Sequence, residues 1–194
     1  LPTPGEILFY MRGLWLLIKA NPAHTRYLDF TERGLARSFW ALAYSFPFMV
    51  ASELVSLSRL MPQTVTVSAE TIFRSALVQG LGWMGPIVVL GVVCMVSGMP
   101  RSFLKIVVTT NWISLPINIF AALAIFLIAT GLQPLASILL LLFQAVVLAA
   151  FLLEIRIVYL LMNDKALPTA TAIIASAITA LLITDLGTRY IVGG

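Results

Sequence analysis

The chain has 194 residues, 60% of them hydrophobic and 10% charged, with a mean hydropathy of +1.02. Soluble globular domains carry about 25% charged residues, so this composition excludes a water-soluble globule and asks for a bilayer as solvent. The net charge of +4 does not signal nucleic acid, because the basic residues are spread along the chain beside apolar runs. The lone Cys94 excludes an intrachain disulfide and a cysteine metal cluster. Several spans of about 20 residues each fit within the length and leave no room for a soluble domain, so residues 1–194 are read as a single membrane domain.

The first predicted element is a helix over residues 3–20. Thr3 can serve as N-cap, Pro4 suits the first helical position and Glu6 falls at the third, which together make a capping box. Ile7, Leu8, Met11, Leu14, Trp15 and Ile18 recur at helical spacing, with Arg12 and Lys19 off that stripe. The apolar run is too short to span. Glu6 precedes it and no small-residue cleavage site follows, so it reads as an amphipathic helix lying on the cytoplasmic interface rather than a signal peptide. Asn21 and Pro22 end it.

From Asp29 to Phe48 a charged, turn-forming segment with Glu32, Arg33 and Arg37 passes into an apolar run opened by Phe39 and Trp40. Basic residues just before an aromatic belt hold a helix start on the cytoplasmic side. The first span is predicted over 38–60, carrying Pro47 and Glu53. After a polar loop at 61–68, a second span covers 70–97, with Arg74, Gln79 and the break Gly82-Trp-Met-Gly-Pro86. The third, 103–130, holds Asn111, Ser114, Pro116 and Asn118. An uncharged turn at Gly131-Leu-Gln-Pro134 joins it to the fourth, 135–161, with Gln144, Glu154 and Arg156. Asn163 to Pro168 turns the chain into the fifth, 169–190. The fold expected is therefore all-α, a polytopic integral membrane bundle of five transmembrane helices plus the interfacial helix. With the N-terminus inside, nine basic residues fall on the cytoplasmic side (Arg12, Lys19, Arg26, Arg33, Arg37, Arg101, Lys105, Arg156, Lys165) and three outside (Arg59, Arg74, Arg189). That asymmetry predicts N-in, C-out.

Two spans carry small residues at helical spacing: Gly80, Gly91, Cys94 and Gly98 in the second, and Ala172, Ser176, Ala180 and Thr184 in the fifth. Small residues let membrane helices approach until their backbones touch. Such a face packs either within the bundle or, for the fifth span, against a separate membrane protein.

Polar residues inside the spans are the candidate site: Glu53, Arg74, Asn111, Asn118, Gln144, Glu154 and Asp185. Asn111, Ser114 and Asn118 share one helix face. Matching depths places Glu154 near Asn111, Gln144 near Asn118, and Glu53, Arg74, Gln79 and Asp185 in the outer third. An ionised carboxylate at mid-membrane costs roughly 2.5–3.5 kcal/mol on insertion scales, so these groups should face the bundle interior as a polar ladder. Read functionally, the ladder is a proton or small-solute path. Read structurally, Glu53 pairs with Arg74, Asp185 pairs with Arg189 one turn on, and Glu154 and Arg156 snorkel near the interface.

Enzymatic chemistry has little to stand on. His24 is the sole histidine and sits in a loop. Gly-rich phosphate loops, His-Glu-x-x-His and Gly-x-Ser-x-Gly are all missing from the sequence. No catalytic, cofactor-binding or metal residue is expected.

The stretch Asp29-Phe-Thr-Glu-Arg-Gly-Leu-Ala-Arg-Ser-Phe-Trp40 before a Pro-bearing span, Asn111-Trp112 with Leu115-Pro116 in the third span, and Glu154 to Tyr159 before a last span ending in Asp185 together resemble small five-span membrane proteins of alpha-proteobacteria. Those are similar in layout to the Ypt-interacting-protein (Yip) family, whose members have five spans and a cytoplasmic N-terminus. The resemblance implies a membrane-embedded, non-enzymatic protein that acts by contacting other proteins or shaping the bilayer, and it carries over no catalytic residue. The expectation is a multi-pass protein of a bacterial cytoplasmic membrane, in contact with the lipid bilayer and other membrane subunits. Its role would be accessory subunit, scaffold or assembly partner; the other reading is a small-solute or proton transporter using the intramembrane polar groups.

Overall fold

The computed structural model describes residues 2–60, 68–129 and 135–192. Six α-helices follow in order: α1 (Pro4–Ile18), α2 (Glu32–Leu60), α3 (Ala69–Val96), α4 (Pro100–Ala129), α5 (Leu135–Leu161) and α6 (Ala166–Val192), with a single 3-10 turn, Pro22–Arg26, between the first two. Among the described residues no strand occurs. The five helices α2 to α6 are each long and apolar enough to cross a membrane. Most of the predicted polar loop at 61–68 and all of the turn at 131–134 lie outside the described residues.

Local chemistry sets the boundaries. The capping box of α1 is present: the Thr3 hydroxyl accepts from the Glu6 amide at 3.3 Å and the Glu6 carboxylate accepts from the Thr3 amide at 2.8 Å. The second helix begins at Glu32, six residues ahead of the expected Ser38, because Thr31 caps it by accepting from the Gly34 amide at 3.2 Å. A cap can start a helix before its apolar run begins. Ser68 caps α3 through the Thr71 amide at 3.1 Å. Between α3 and α4 the chain turns at Gly98, whose φ of +68° suits glycine, and the Met99 amide closes back on the Cys94 carbonyl at 2.8 Å. Asn163 and Asp164 do the same between α5 and α6, with φ of 55° and 59°, values these two residue types tolerate better than most.

The helix α4 is central. It packs against α2, α3, α5 and α1, while α6 rests mainly on α3. Consecutive α4 residues Ile106, Val107, Val108 and Thr109 are all buried, as are Asn111 and Trp112, which requires neighbours on every side of the helix. The main core therefore lies toward one end of the bundle, where Leu90 and Cys94 of α3, Ile157, Val158 and Leu161 of α5, and Tyr10, Leu14 and Leu17 of α1 surround α4. A smaller cluster of Leu57 and Ile191 with Val78 and Val192 closes the opposite end.

Much of α1 is built into that core. Tyr10 stacks on Trp112 with ring centroids 4.4 Å apart, although the Trp112 indole nitrogen has no hydrogen-bond acceptor among the described residues. Gly13 lets the chain return closely, since a Cβ there would stand 2.6 Å from that of Tyr27. Arg37 of α2 donates to Glu6 at 2.7 Å, the Tyr44 hydroxyl donates to the Pro2 carbonyl at 3.1 Å, and Arg156 of α5 donates to the Ile18 carbonyl at 3.1 Å. The buried face is rotated from the predicted stripe. Ile7, Met11, Leu14 and Ile18 pack inward together with Tyr10 and Leu17, whereas Leu8 and Trp15 are 71% and 57% exposed. Arg12 and Lys19 are exposed beside them, and Lys19 lies over the Trp15 ring at 4.6 Å.

The Glu6 carboxyl is held below its ordinary range, first by the Thr3 amide and then by Arg37. A group whose folded value is depressed contributes stability above its unfolded value and loses it as pH falls through the folded one. Acidification below the usual carboxylate range should therefore loosen the start of α1. A spin label at Phe9→Cys should gain mobility in that window, and Glu6→Gln should remove the pH dependence; equal pH profiles for the two proteins would refute the role of this pair.

Candidate functional site

The site is built around α4 and the incomplete closure of its neighbours. Because α5 leans on α4 and α6 on α3, with little direct contact between α5 and α6, the last four helices enclose a cleft. It holds two neighbouring cavities that share Pro86, Ile87, Thr110, Phe151 and Glu154 in their walls. One, of about 530 Å³, extends between α5 and α6 along Ala172, Ser176 and Ala180. The other, of about 440 Å³, extends along α4 past Asn111, Ser114 and Asn118 toward Met49 of α2. Such volumes match those of small-molecule sites, which are mostly apolar with a few placed polar groups.

Most polar groups in the walls are already satisfied. Thr110 donates to the Ile106 carbonyl at 2.9 Å and Ser114 to the Asn111 carbonyl at 2.8 Å. Ser176 reaches the Pro86 carbonyl at 3.4 Å. Asn111 is a junction of three helices: its amide nitrogen donates to Ser38 of α2 at 2.9 Å, and its carbonyl oxygen accepts from the Trp83 indole of α3 at 3.1 Å. Ser38 in turn donates to the Leu35 carbonyl at 2.7 Å. Glu154 and Asn118 differ. Neither has a hydrogen-bond or ion-pair partner among the described residues, and Arg156, two positions beyond Glu154, is turned to Ile18.

Of the predicted polar positions, the structure gathers Asn111, Asn118 and Glu154 on one cavity wall. The others lie elsewhere. Glu53 is half-buried on α2, outside both cavities and unpaired among the described residues. Arg74 does not reach it: the guanidinium pairs with Glu70 one turn earlier, donates to the Tyr190 carbonyl at 2.9 Å and lies 4.9 Å from the centre of the Tyr190 ring. Gln144 is exposed on α5 rather than beside Asn118. Asp185 pairs with Arg189 at 3.0 Å on an exposed face of α6. The expected ladder is thus broken into a cleft near one end and separate groups near the other.

The small-residue faces also fall differently from their spacing. Ala172 is buried, and with Ser176 and Ala180 it lines the cleft, whereas Thr184 is exposed. In α3, a Cβ at Gly91 would stand 3.3 Å from the Phe103 ring, while Gly80 has open space before it and Gly98 belongs to the turn. The close approach of α3 and α6 uses glycines outside both predicted stripes: a Cβ at Gly85 would strike the tip of Ile183, and one at Gly187 would strike Val78. The interval from Gly82 to Gly85, read in sequence only as a break before Pro86, was the available signal. Trp83 and Ser38, as partners of Asn111, had none.

His24 lies in the 3-10 turn, its Nδ1 2.8 Å from the Asn21 carbonyl oxygen and its ring 6.2 Å from that of Phe30. Among the described residues no three of His, Cys, Asp and Glu gather as a metal site. The five long apolar helices are those of a multi-pass membrane protein, and a cleft lies between α5 and α6. No family model matches the chain, and no curated protein or solved structure does either.

Proposed function

We propose that the chain is a non-enzymatic accessory subunit or assembly partner of a larger membrane complex. It would sit N-in and C-out in a bacterial cytoplasmic membrane, with α1 at the cytoplasmic interface. The orientation is supported by the nine basic residues counted above at the end where α2 begins and α5 finishes. The Leu8, Arg12, Trp15 and Lys19 face of α1 suits the headgroup boundary, where long basic side chains snorkel. The layout resemblance to the Yip family supports the same non-enzymatic reading.

One observation carries the proposal. Gln144 stands well inside α5, exposed on the outer surface of the bundle with no partner among the described residues. A primary amide left to hydrocarbon is costly, and polar side chains in this setting join one membrane helix to another. Leu141, Ala145 and Leu148 are exposed on the same side of the helix, and Ala145 permits close approach. Extraction in a mild detergent should yield a particle larger than the monomer with a stoichiometric partner, and Gln144→Leu should weaken retention of that partner about fivefold, the equivalent of ~1 kcal/mol. A monomer or homo-oligomer, or full retention by the variant, would defeat the reading.

The transporter reading needs Glu53, Glu154 and Asp185 on one path, and their separation weighs against it. Liposome flux that is lost when any of the three is neutralised would reverse that preference.

A further inference from the structure

We infer that the cleft between α5 and α6 is a binding site for a single-chain amphiphile with a protonated amine head, the ammonium resting on Glu154 and the chain lying along the apolar walls. This site is independent of the proposed contact at Gln144, which lies outside both cavities.

The argument begins with charge. The Glu154 carboxylate lines both cavities, yet no cation of the chain pairs with it among the described residues. Arg156 is committed to the Ile18 carbonyl, and Arg37 to Glu6. The wall hydroxyls of Thr110, Ser114 and Ser176 donate to backbone carbonyls of α4 and α3. Among the described residues the wall therefore offers one unpaired carboxyl group and no competing cation. An ammonium would answer it with a charge-assisted hydrogen bond, which is stronger than one between neutral groups.

Shape supplies the rest. Beyond Glu154 the larger cavity is walled by Ile173, Ala177, Ala180 and Leu181, an apolar lining suited to an alkyl chain. Phe151 and Leu181 at its walls are 43% and 70% exposed, so the cleft opens on the outer surface of the bundle. Since Glu154 precedes the end of α5 at Leu161 by seven residues, it lies about 10 Å of helix length from that end. A head group near the membrane boundary can reach it while its chain stays in the hydrocarbon. Lateral entry from the bilayer follows from that position.

The test uses the full chain in nanodiscs of zwitterionic lipid, with dodecylamine as the probe and dodecanol and dodecyl sulfate as comparisons. Wild type should bind dodecylamine saturably, with one site by native mass spectrometry, and the comparison compounds should not compete. Glu154→Gln should weaken binding about tenfold or more. Ala180→Leu, which fills the cleft and leaves the carboxylate in place, should also weaken it. Each variant is scored only as a monodisperse helical protein, and either alone suffices to decide. Undiminished affinity in a folded variant, non-saturable uptake by wild type, or competition by dodecanol at equal strength would overturn the assignment.

Discussion

Gly187→Leu is expected to lower the melting temperature of the detergent-purified protein by about 6–12 °C, corresponding to roughly 3 kcal/mol at the upper end of what overpacking usually costs. Gly85→Ala should change it far less. Both glycines lie where α3 and α6 meet, but what faces them differs. A Cβ at Gly187 is met by Val78 through its Cγ1, with Cγ2 at 3.0 Å and Cβ at 3.2 Å. Valine is held to one rotamer in a helix, so it cannot swing aside and the helices must part. The atom facing Gly85 is Cδ1 of Ile183, the free end of a longer side chain, with Thr179 Cγ2 at 3.2 Å behind it. That end can move, and alanine's better helix propensity, worth up to about 1 kcal/mol, offsets the crowding. Parallel melts of the two variants decide the matter. If Gly187→Leu melts with wild type, Gly187 is not at a tight seam.

Why neither glycine was singled out from the sequence follows from the solvent. In water a helix announces its inner face by being apolar there, but in lipid both faces are apolar, and packing depends on shape. Composition and length therefore locate the spans: α3 at Ala69–Val96 and α4 at Pro100–Ala129 fall within a few residues of 70–97 and 103–130. The rotation of each helix about its axis is not legible in this way. The Ala172, Ser176 and Ala180 stripe was visible as spacing, yet only the packed bundle shows that it faces a cleft. Depth was easier to read than rotation. Glu154 shares a cavity with Asn111, as matching their distances from the helix ends suggests, while Gln144 at the right depth points away from Asn118. Local pairs also prevailed over distant ones. Arg74 could meet Glu53 only if two helices were correctly rotated, whereas Glu70 is one turn away on its own helix.

Asn111→Leu should destabilise the protein by about 2 kcal/mol, and most of that loss should disappear when Trp83 is already phenylalanine. The two hydrogen bonds of Asn111 are unequal in what their removal leaves behind. Ser38 keeps its own bond to the Leu35 carbonyl at 2.7 Å, so losing the Asn111 donor strands nothing on α2. The half-buried Trp83 indole has Asn111 as its acceptor, and a donor left without one away from water costs about 1–3 kcal/mol. Interhelical hydrogen bonds in membrane proteins average about 0.6 kcal/mol and reach about 1.7, so the orphaned indole accounts for more of the loss than the broken bonds do. A double-mutant cycle between Trp83→Phe and Asn111→Leu, read from unfolding in mixed micelles, should therefore give a coupling of about 1 kcal/mol or more. Ser38→Ala should cost less than Asn111→Leu. Additive losses in the cycle would mean that Asn111 acts through its packing in α4 and not through the bond to α3. A Ser38→Ala loss as large as that of Asn111→Leu would instead move the junction to α2, where the side chain of Ser38 is fully buried and joins the start of the first long helix to the centre of the bundle.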